Sequence, residues 1–238
     1  MTVTFDGHSI DALFIVGDPK ITIFDSQVNY ADSENRDGQI VVGRHWGSAK
    51  VSFTIAATGT AATRRAALST LGSYLAVDSP RKLVLPDTSW YYMAIPDGSL
   101  NLERAINGEY TELSFTLVDP IGYGDEVTVT VPSGGSVTFT VGGTAPTKPN
   151  ISATAVRDSS ALVWGLKLDN ADFVHIATGN AAGRVVKIDC DERTATVSGN
   201  TSMITLDSDW LELSPGSHTL VMDKGTGAAT VKYRERWY

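Results

Sequence analysis

The chain has 238 residues, which predicts one or two domains at roughly 100–200 residues per domain. Its formal net charge of −8 argues against wrapping nucleic acid, because that interaction needs clustered Lys and Arg. The single cysteine, Cys190, excludes an intrachain disulfide framework and the small secreted folds that depend on one.

The first residues have no feature of a leader peptide. Asp6 and Asp11 occur early, and neither Lys nor Arg precedes them. No apolar run approaches the roughly 20 residues that span a bilayer. We therefore expect a protein that is synthesised in a cytoplasm without its own export signal and does not insert into a membrane.

Strand patterns dominate the beginning of the chain. Val51, Phe53 and Ile55 alternate with polar residues, which is the period of a half-buried strand. Residues 33–38 end in Asp-Gly and predict a hairpin tip, so residues 21–55 should form one long hairpin. The strands, rich in β-branched residues, are predicted at 21–24, 39–42 and 50–55.

One amphipathic helix is predicted over residues 60–77. Thr60 or Thr63 can cap its first N–H groups, and Pro80 ends it because the residue before a proline disfavours helical geometry. The helix should cover a sheet with its apolar stripe. That stripe consists of Leu68, Leu71 and Leu75, with Ala67 and Tyr74 beside them.

A domain boundary is predicted near residues 120–124, which gives domains 1–122 and 123–238. Beyond the boundary, short strand patterns alternate with turns every 8–12 residues, as is typical of a β-sandwich. These strands are predicted at 127–131, 136–141, 151–155, 161–168, 173–176, 184–188, 193–197, 219–222 and 229–233.

The sequence predicts no catalytic, cofactor-binding or metal-ligating residues. The four histidines lie far apart, and no nucleophile elbow, phosphate-binding loop or dinucleotide fingerprint occurs. Cys190 is flanked by Asp189, Asp191 and Glu192, which favour the thiol over the reactive thiolate. These carboxylates, and a second group at residues 207–212, lack the glycine of a calcium loop and are typical of turns.

Several aromatic residues in the second half could contact carbohydrate. Trp164 shares a strand face with leucines and is predicted to be core. Trp210 alternates with Leu211, so one of the two must point outward, and Trp210 is the candidate for exposure. Trp210 and Trp237 are therefore the predicted residues for stacking on a sugar.

The order of these blocks resembles that of siphophage distal tail proteins, over nearly the whole chain. In the first half the resemblance rests on residues 4–7 (TFDG), 37–38 (DG), 43–47 (GRHWG), 82–87 (KLVLPD), 90–92 (WYY) and 113–120 (LSFTLVDP). In the second half it rests on residues 143–149 (GTAPTKP), 211–216 (LELSPG) and 231–238 (VKYRERWY), with His218 where asparagine is expected.

This resemblance implies a mainly β fold, with an N-terminal β-sandwich-like ring domain that carries one helix and a C-terminal galectin-like β-sandwich. It implies a non-enzymatic hub at the distal end of a phage tail, built as a homohexameric ring. Its implied partners are the tail tube, the tape measure, and the tail-associated and receptor-binding proteins. The ring-interface residues proposed with it are Phe24, Tyr30, Ile40, Val42 and Trp46.

Two other functions remain open at this point. A carbohydrate-binding module would attach a phage to host cell-wall glycans through Trp210 and Trp237. A β-sandwich glycosidase would need two carboxylates at a set spatial separation, which sequence spacing does not reveal.

Overall fold

The computed structural model describes residues 2–22, 26–32, 37–155, 162–178 and 183–238. The chain divides into two compact units, Met1–Gly122 and Tyr123–Tyr238, called unit 1 and unit 2 below. The fold is mainly β with one long helix, as predicted. None of the helices in the described ranges is long and apolar enough to cross a membrane.

The described residues of unit 1 form ten strands and two helices up to residue 117. They are β1 (Thr4–Phe5), β2 (His8–Ser9), β3 (Phe14–Val16), β4 (Lys20–Thr22), β5 (Ser26–Asp32), β6 (Gln39–Trp46), β7 (Ala49–Ala57), α1 (Ala61–Leu75), β8 (Arg81–Val84), β9 (Tyr91–Asp97), α2 (Leu102–Ile106) and β10 (Thr111–Leu117).

The sheet of unit 1 is built around β7. This strand pairs antiparallel with β10 on one side and with β3 and β4 on the other. The sheet continues from β10 through β9 and β8 to β1 and β2. Val51, Phe53 and Ile55 on β7 are buried, as their alternation predicts, and the Phe53 and Phe115 rings lie 5.8 Å apart.

Helix α1 covers this core with the predicted stripe. Leu68 and Leu71 are buried, while Leu75 is partly buried against the same cluster. The Thr60 side chain is the N-cap and accepts a hydrogen bond from the Thr63 backbone N–H at 3.3 Å. The short α2 was not predicted; it begins after Asn101, whose side-chain oxygen accepts from the Arg104 N–H at 3.1 Å.

The described residues of unit 2 form two antiparallel sheets on a shared apolar core. One has the strand order β18-β17-β16-β13-β20-β11, and the other has the order β12-β19-β14-β15. The strands are β11 (Gly122–Val131), β12 (Ser136–Val141), β13 (Asn150–Ala155), β14 (Val163–Leu168), β15 (Asp172–Ala177), β16 (Arg184–Asp189), β17 (Thr194–Val197), β18 (Asn200–Ser202), β19 (Gly216–Lys224) and β20 (Ala229–Trp237).

The Gly122-Tyr-Gly124 pattern has a packing role at both of its glycines. A Cβ at Gly122 would lie 2.1 Å from Cδ1 of Trp90, within unit 1. A Cβ at Gly124 would lie 3.0 Å from Cζ3 of Trp237, within unit 2. Each glycine therefore leaves room for a tryptophan ring beside the backbone.

Leu71→Asp should give insoluble protein, because it puts a carboxylate into the core beneath α1. The milder Leu71→Ala should stay soluble and lower the free energy of unfolding by about 2–5 kcal/mol, measured by urea denaturation. Ser69→Ala, at an exposed position on the same helix, is the matched control and should change stability little. An unchanged unfolding midpoint for Leu71→Ala would contradict the assignment of this leucine stripe to the core.

Two glycine substitutions should have opposite effects on stability. Gly122→Ala should destabilise unit 1 by about 1–3 kcal/mol, because the Trp90 ring must move to accommodate the methyl group. Gly72→Ala adds a methyl with no atom within 4 Å, in the interior of α1, and should stabilise the helix by about 0.5–1 kcal/mol. Thermal unfolding of the two variants checks both signs, and equal shifts would contradict the packing argument.

Candidate assembly surface

The strands of a long hairpin form as predicted, and its outer part leaves the sheet of unit 1. Residues 33–36 of the predicted tip at 33–38 lie outside the described residues. At its base, β4 pairs with β7 in the main sheet, with Ile21 opposite Val51. Farther out, β5 and β6 pair only with each other among the described strands and form a separate two-stranded sheet. We call this outer part the ribbon. Isolated two-stranded sheets are marginal in water, since they have two open edges and no core.

One face of the ribbon combines apolar, aromatic and cationic groups. Tyr30 lies directly opposite Val41, and the two side chains are 56% and 61% exposed. Farther along the same face, the Arg44 guanidinium lies 4.3 Å from the Trp46 ring centroid. Arg44 Nε also donates to the Ser26 hydroxyl at 2.7 Å. This face therefore presents a preorganised aromatic stripe to solvent.

The other face of the ribbon is mixed. Ile40 lies opposite Ala31, and the His45 and Gln27 side chains are hydrogen-bonded at 2.9 Å. The register shifts between Asn29 and Tyr30, which leaves Val42 as the bulged residue.

The predicted interface residues fall mostly on this ribbon. Tyr30, Ile40, Val42 and Trp46 are exposed on it, and Phe24 lies outside the described residues. Val41 is the cross-strand neighbour of Tyr30, and it is not among the interface residues predicted from the sequence. The assignment of these residues to an interface between copies stays a prediction.

The tryptophans of unit 2 occupy three different environments. Trp164 is buried in the core, as predicted. Trp210 is half-buried against that core, and Trp237 is half-buried beside Gly124. A role of Trp210 and Trp237 in stacking on sugar stays a prediction.

Cys190 and the neighbouring carboxylates contribute to packing and to a turn. Burial raises the pKa of the Cys190 thiol to about 12, so the thiolate is not populated near neutral pH. Asp189 Oδ1 accepts backbone hydrogen bonds from Asp191 and Glu192, each at 2.9 Å, which closes the turn after β16. Within the described ranges, no cluster of three His, Cys, Asp or Glu side chains could hold a metal ion.

His218 fastens the Pro-Gly turn before β19 to the turn after β14. Its Nδ1 lies 2.6 Å from Asp169 Oδ2, and its Nε2 lies 2.6 Å from the Ser214 carbonyl oxygen. Because both partners are acceptors, only the doubly protonated imidazolium donates to both. Burial lowers the pKa of His218, but the hydrogen bonds to Asp169 and Ser214 outweigh it, so the pKa is raised.

Comparison with known proteins supports the resemblance drawn from the sequence. Residues 142–237 match the family described as siphovirus-type tail component, C-terminal domain. The distal tail protein of Bacillus phage SPP1 is 30% identical over 131 residues, which is 52% of this chain and 50% of that protein. The chain therefore spans about half the length of this curated relative in the alignment.

The solved structure of the SPP1 Dit protein, described as a paradigm of the hub adsorption apparatus in phages infecting Gram-positive bacteria, has the same fold. It superposes with a TM-score of 0.74 at 18% identity, over 100% of this chain and 99% of that chain. A chain of the activated phage P2 baseplate aligns over 99% of this chain and 91% of its own length, with a TM-score of 0.42 and 11% identity. The family match, the SPP1 relative and the shared fold with SPP1 Dit confirm the resemblance to siphophage distal tail proteins.

Unit 2 should lose stability as the pH rises through the folded-state pKa of His218. The folded pKa lies above the ordinary value of 6.5, so the stabilisation is complete below about pH 6.5 and disappears above the raised pKa. His218→Asn removes the titrating group at the position where asparagine was expected. The melting-temperature difference between wild type and this variant should shrink between pH 6 and pH 8.5. A difference that does not vary with pH would contradict the two-acceptor geometry.

Proposed function

We propose that this chain, whose residues 142–237 match the siphovirus-type tail component C-terminal domain family, is a structural virion protein of a long-tailed phage. It forms a hexameric ring at the distal end of the tail and joins the tail tube to the baseplate and host-recognition proteins. The observation that carries this proposal is the ribbon of unit 1, which exposes Tyr30 and Val41 and whose two strands pair only with each other within the described residues.

The ribbon suits a contact between copies for two physical reasons. Burying side chains such as Tyr30 and Val41 against a neighbour removes apolar surface from water, at roughly 25 cal/mol per Å². The open edges of β5 and β6 can also pair with backbone groups of another copy. A ribbon that inserts into a different surface of the next copy makes a heterologous contact, and such contacts generate rings when the rotation closes.

The proposed partners follow from this position in the tail. They are the tail tube protein, the tape measure protein, and the tail-associated and receptor-binding proteins, with host cell-wall glycans as a further candidate. A formal net charge of −8 per copy disfavours retention of DNA that passes through the ring. We propose a non-enzymatic role and synthesis in the host cytoplasm before incorporation into the virion.

A charge on the ribbon should abolish ring formation. Val41→Asp places a carboxylate on the aromatic face, where it would be desolvated in an interface. Val118→Asp is the matched control, because Val118 is 54% exposed in unit 1 outside the ribbon. Mass photometry of wild type and control should give particles near six times the protomer mass of 25.4 kDa, whereas Val41→Asp should remain monomeric.

Negative-stain microscopy of the same samples provides the second measurement. Wild type and Val118→Asp should form rings with a central opening, alone or with tail tube protein. A wild type that stays monomeric under both conditions would overturn the ring proposal. Rings that persist in Val41→Asp as they do in Val118→Asp would remove the ribbon as the responsible surface.

A further inference from the structure

A tight turn between β18 and β19 presents two apolar side chains to solvent. The Ser208 N–H donates to the Thr205 carbonyl at 3.0 Å, so Leu206 and Asp207 are the central residues of the turn. Leu206 has a relative accessibility of 106%, and Met203, just before the turn, reaches 83%. We call residues 203–209 the Leu206 turn.

The Leu206 turn is fastened to the edge strand β15. The Thr205 N–H donates to the His175 carbonyl, and the Asp209 N–H donates to the Phe173 carbonyl, each at 2.9 Å. The Ser208 hydroxyl accepts from the His175 N–H at 2.9 Å and lies 2.7 Å from the Thr205 hydroxyl. These hydrogen bonds therefore fix the backbone of the turn that carries Leu206. Because the turn is already ordered, little additional conformational entropy is lost when Leu206 binds a partner surface.

A complementary surface lies on the outer face of the other sheet of unit 2. There β13, β16 and β20 line a trough of about 520 Å³, which we call the Val185 trough. Val185 is 43% exposed and lies in it beside Ala228 and Lys187. Lys187 belongs to no ion pair within the described residues, whereas the nearby Lys232 is held by Glu126 at 2.7 Å.

The two surfaces match in polarity and charge. Leu206 is flanked by the exposed carboxylates of Asp207 and Asp209, whereas the trough is partly apolar and carries the cation of Lys187. Two Leu206 turns facing each other would instead bring like charges together, which disfavours a symmetric pairing of this element.

We propose that the Leu206 turn of one copy inserts into the Val185 trough of the neighbouring copy. The occupant is thus a second copy of this chain, and Asp207 lies within reach of Lys187 in the contact. Because the two surfaces differ, the contact is heterologous and propagates around a ring. The inference rests on the proposed ring and adds to it a second contact, made by unit 2.

Cysteine crosslinking tests this contact in the full chain. Leu206→Cys combined with Val185→Cys should yield a ladder of covalent species up to the closed ring when treated with a short bis-maleimide. Each single variant, which pairs only with its own kind, should give no species above a dimer. The native Cys190 is buried and should not react under these conditions.

A charge exchange provides the matched energetic test. Asp207→Lys and Lys187→Asp should each weaken assembly by about fivefold in midpoint concentration, and their combination should restore it. Asp191→Lys, on the turn after β16 outside this contact, is the control for the charge change. Restoration in the combined variant would support the pair, and additive weakening would overturn it.

Microscopy and crosslinking together distinguish the Leu206 contact from the ribbon contact. Rings in microscopy without a ladder in the double-cysteine variant would overturn the Leu206 contact and leave the ring proposal intact. A ladder that persists in the Val41→Asp background would support the Leu206 contact and count against the ribbon. Absence of both rings and ladder would overturn both proposals.

Discussion

A two-stranded antiparallel sheet cannot bury an apolar face by itself, and this constraint determines the exposure of the ribbon of unit 1. On the central strand β7, apolar alternation is matched by cover: its inward residues pack in one cluster with residues of α1 and β10. In the ribbon the same residue types have no cover within the described chain, so Tyr30 and Val41 stay in water. Cross-strand pairs and the Arg44 cation over Trp46 hold this exposed surface in one arrangement within the single chain.

The base of the hairpin explains how such a ribbon can keep its register. Ile21 pairs with Val51 on the central strand of unit 1, so the hairpin begins inside a well-packed sheet. Register set at the base carries outward along two strands, since a slip of one residue would exchange the faces of every side chain. A folded core thus specifies the geometry of a surface that would be marginal alone.

The helix and the main strands could be predicted from the sequence because their signals are local. Leucines at helical spacing and the alternation in β7 each depend on a window of a few residues. The faces of β6 could not be assigned in the same way. Ile40, Val41 and Val42 are consecutive apolar residues, and a bulge opposite Asn29 and Tyr30 decides which of them meets Tyr30.

Two other features had no usable local signal. Helix α2 spans only Leu102–Ile106, which is too short for a helical period to be recognised. Gly122 and Gly124 leave room for the rings of Trp90 and Trp237, and no neighbouring residue in the sequence indicates this packing role. The relevant neighbours are distant in sequence, so only the folded chain reveals why a side chain is excluded there.

Charge opposes assembly of this chain, and it acts differently on the two proposed contacts. Each copy carries a formal net charge of −8, so association brings like charges together. Salt screens this repulsion, with a Debye length of about 10 Å at 0.1 M, and therefore favours the apolar ribbon contact. The same screening weakens the attraction between Asp207 and Lys187. Because the net repulsion acts at either contact, added salt should strengthen the ribbon contact, whereas it should affect the proposed Leu206 contact in two opposing ways.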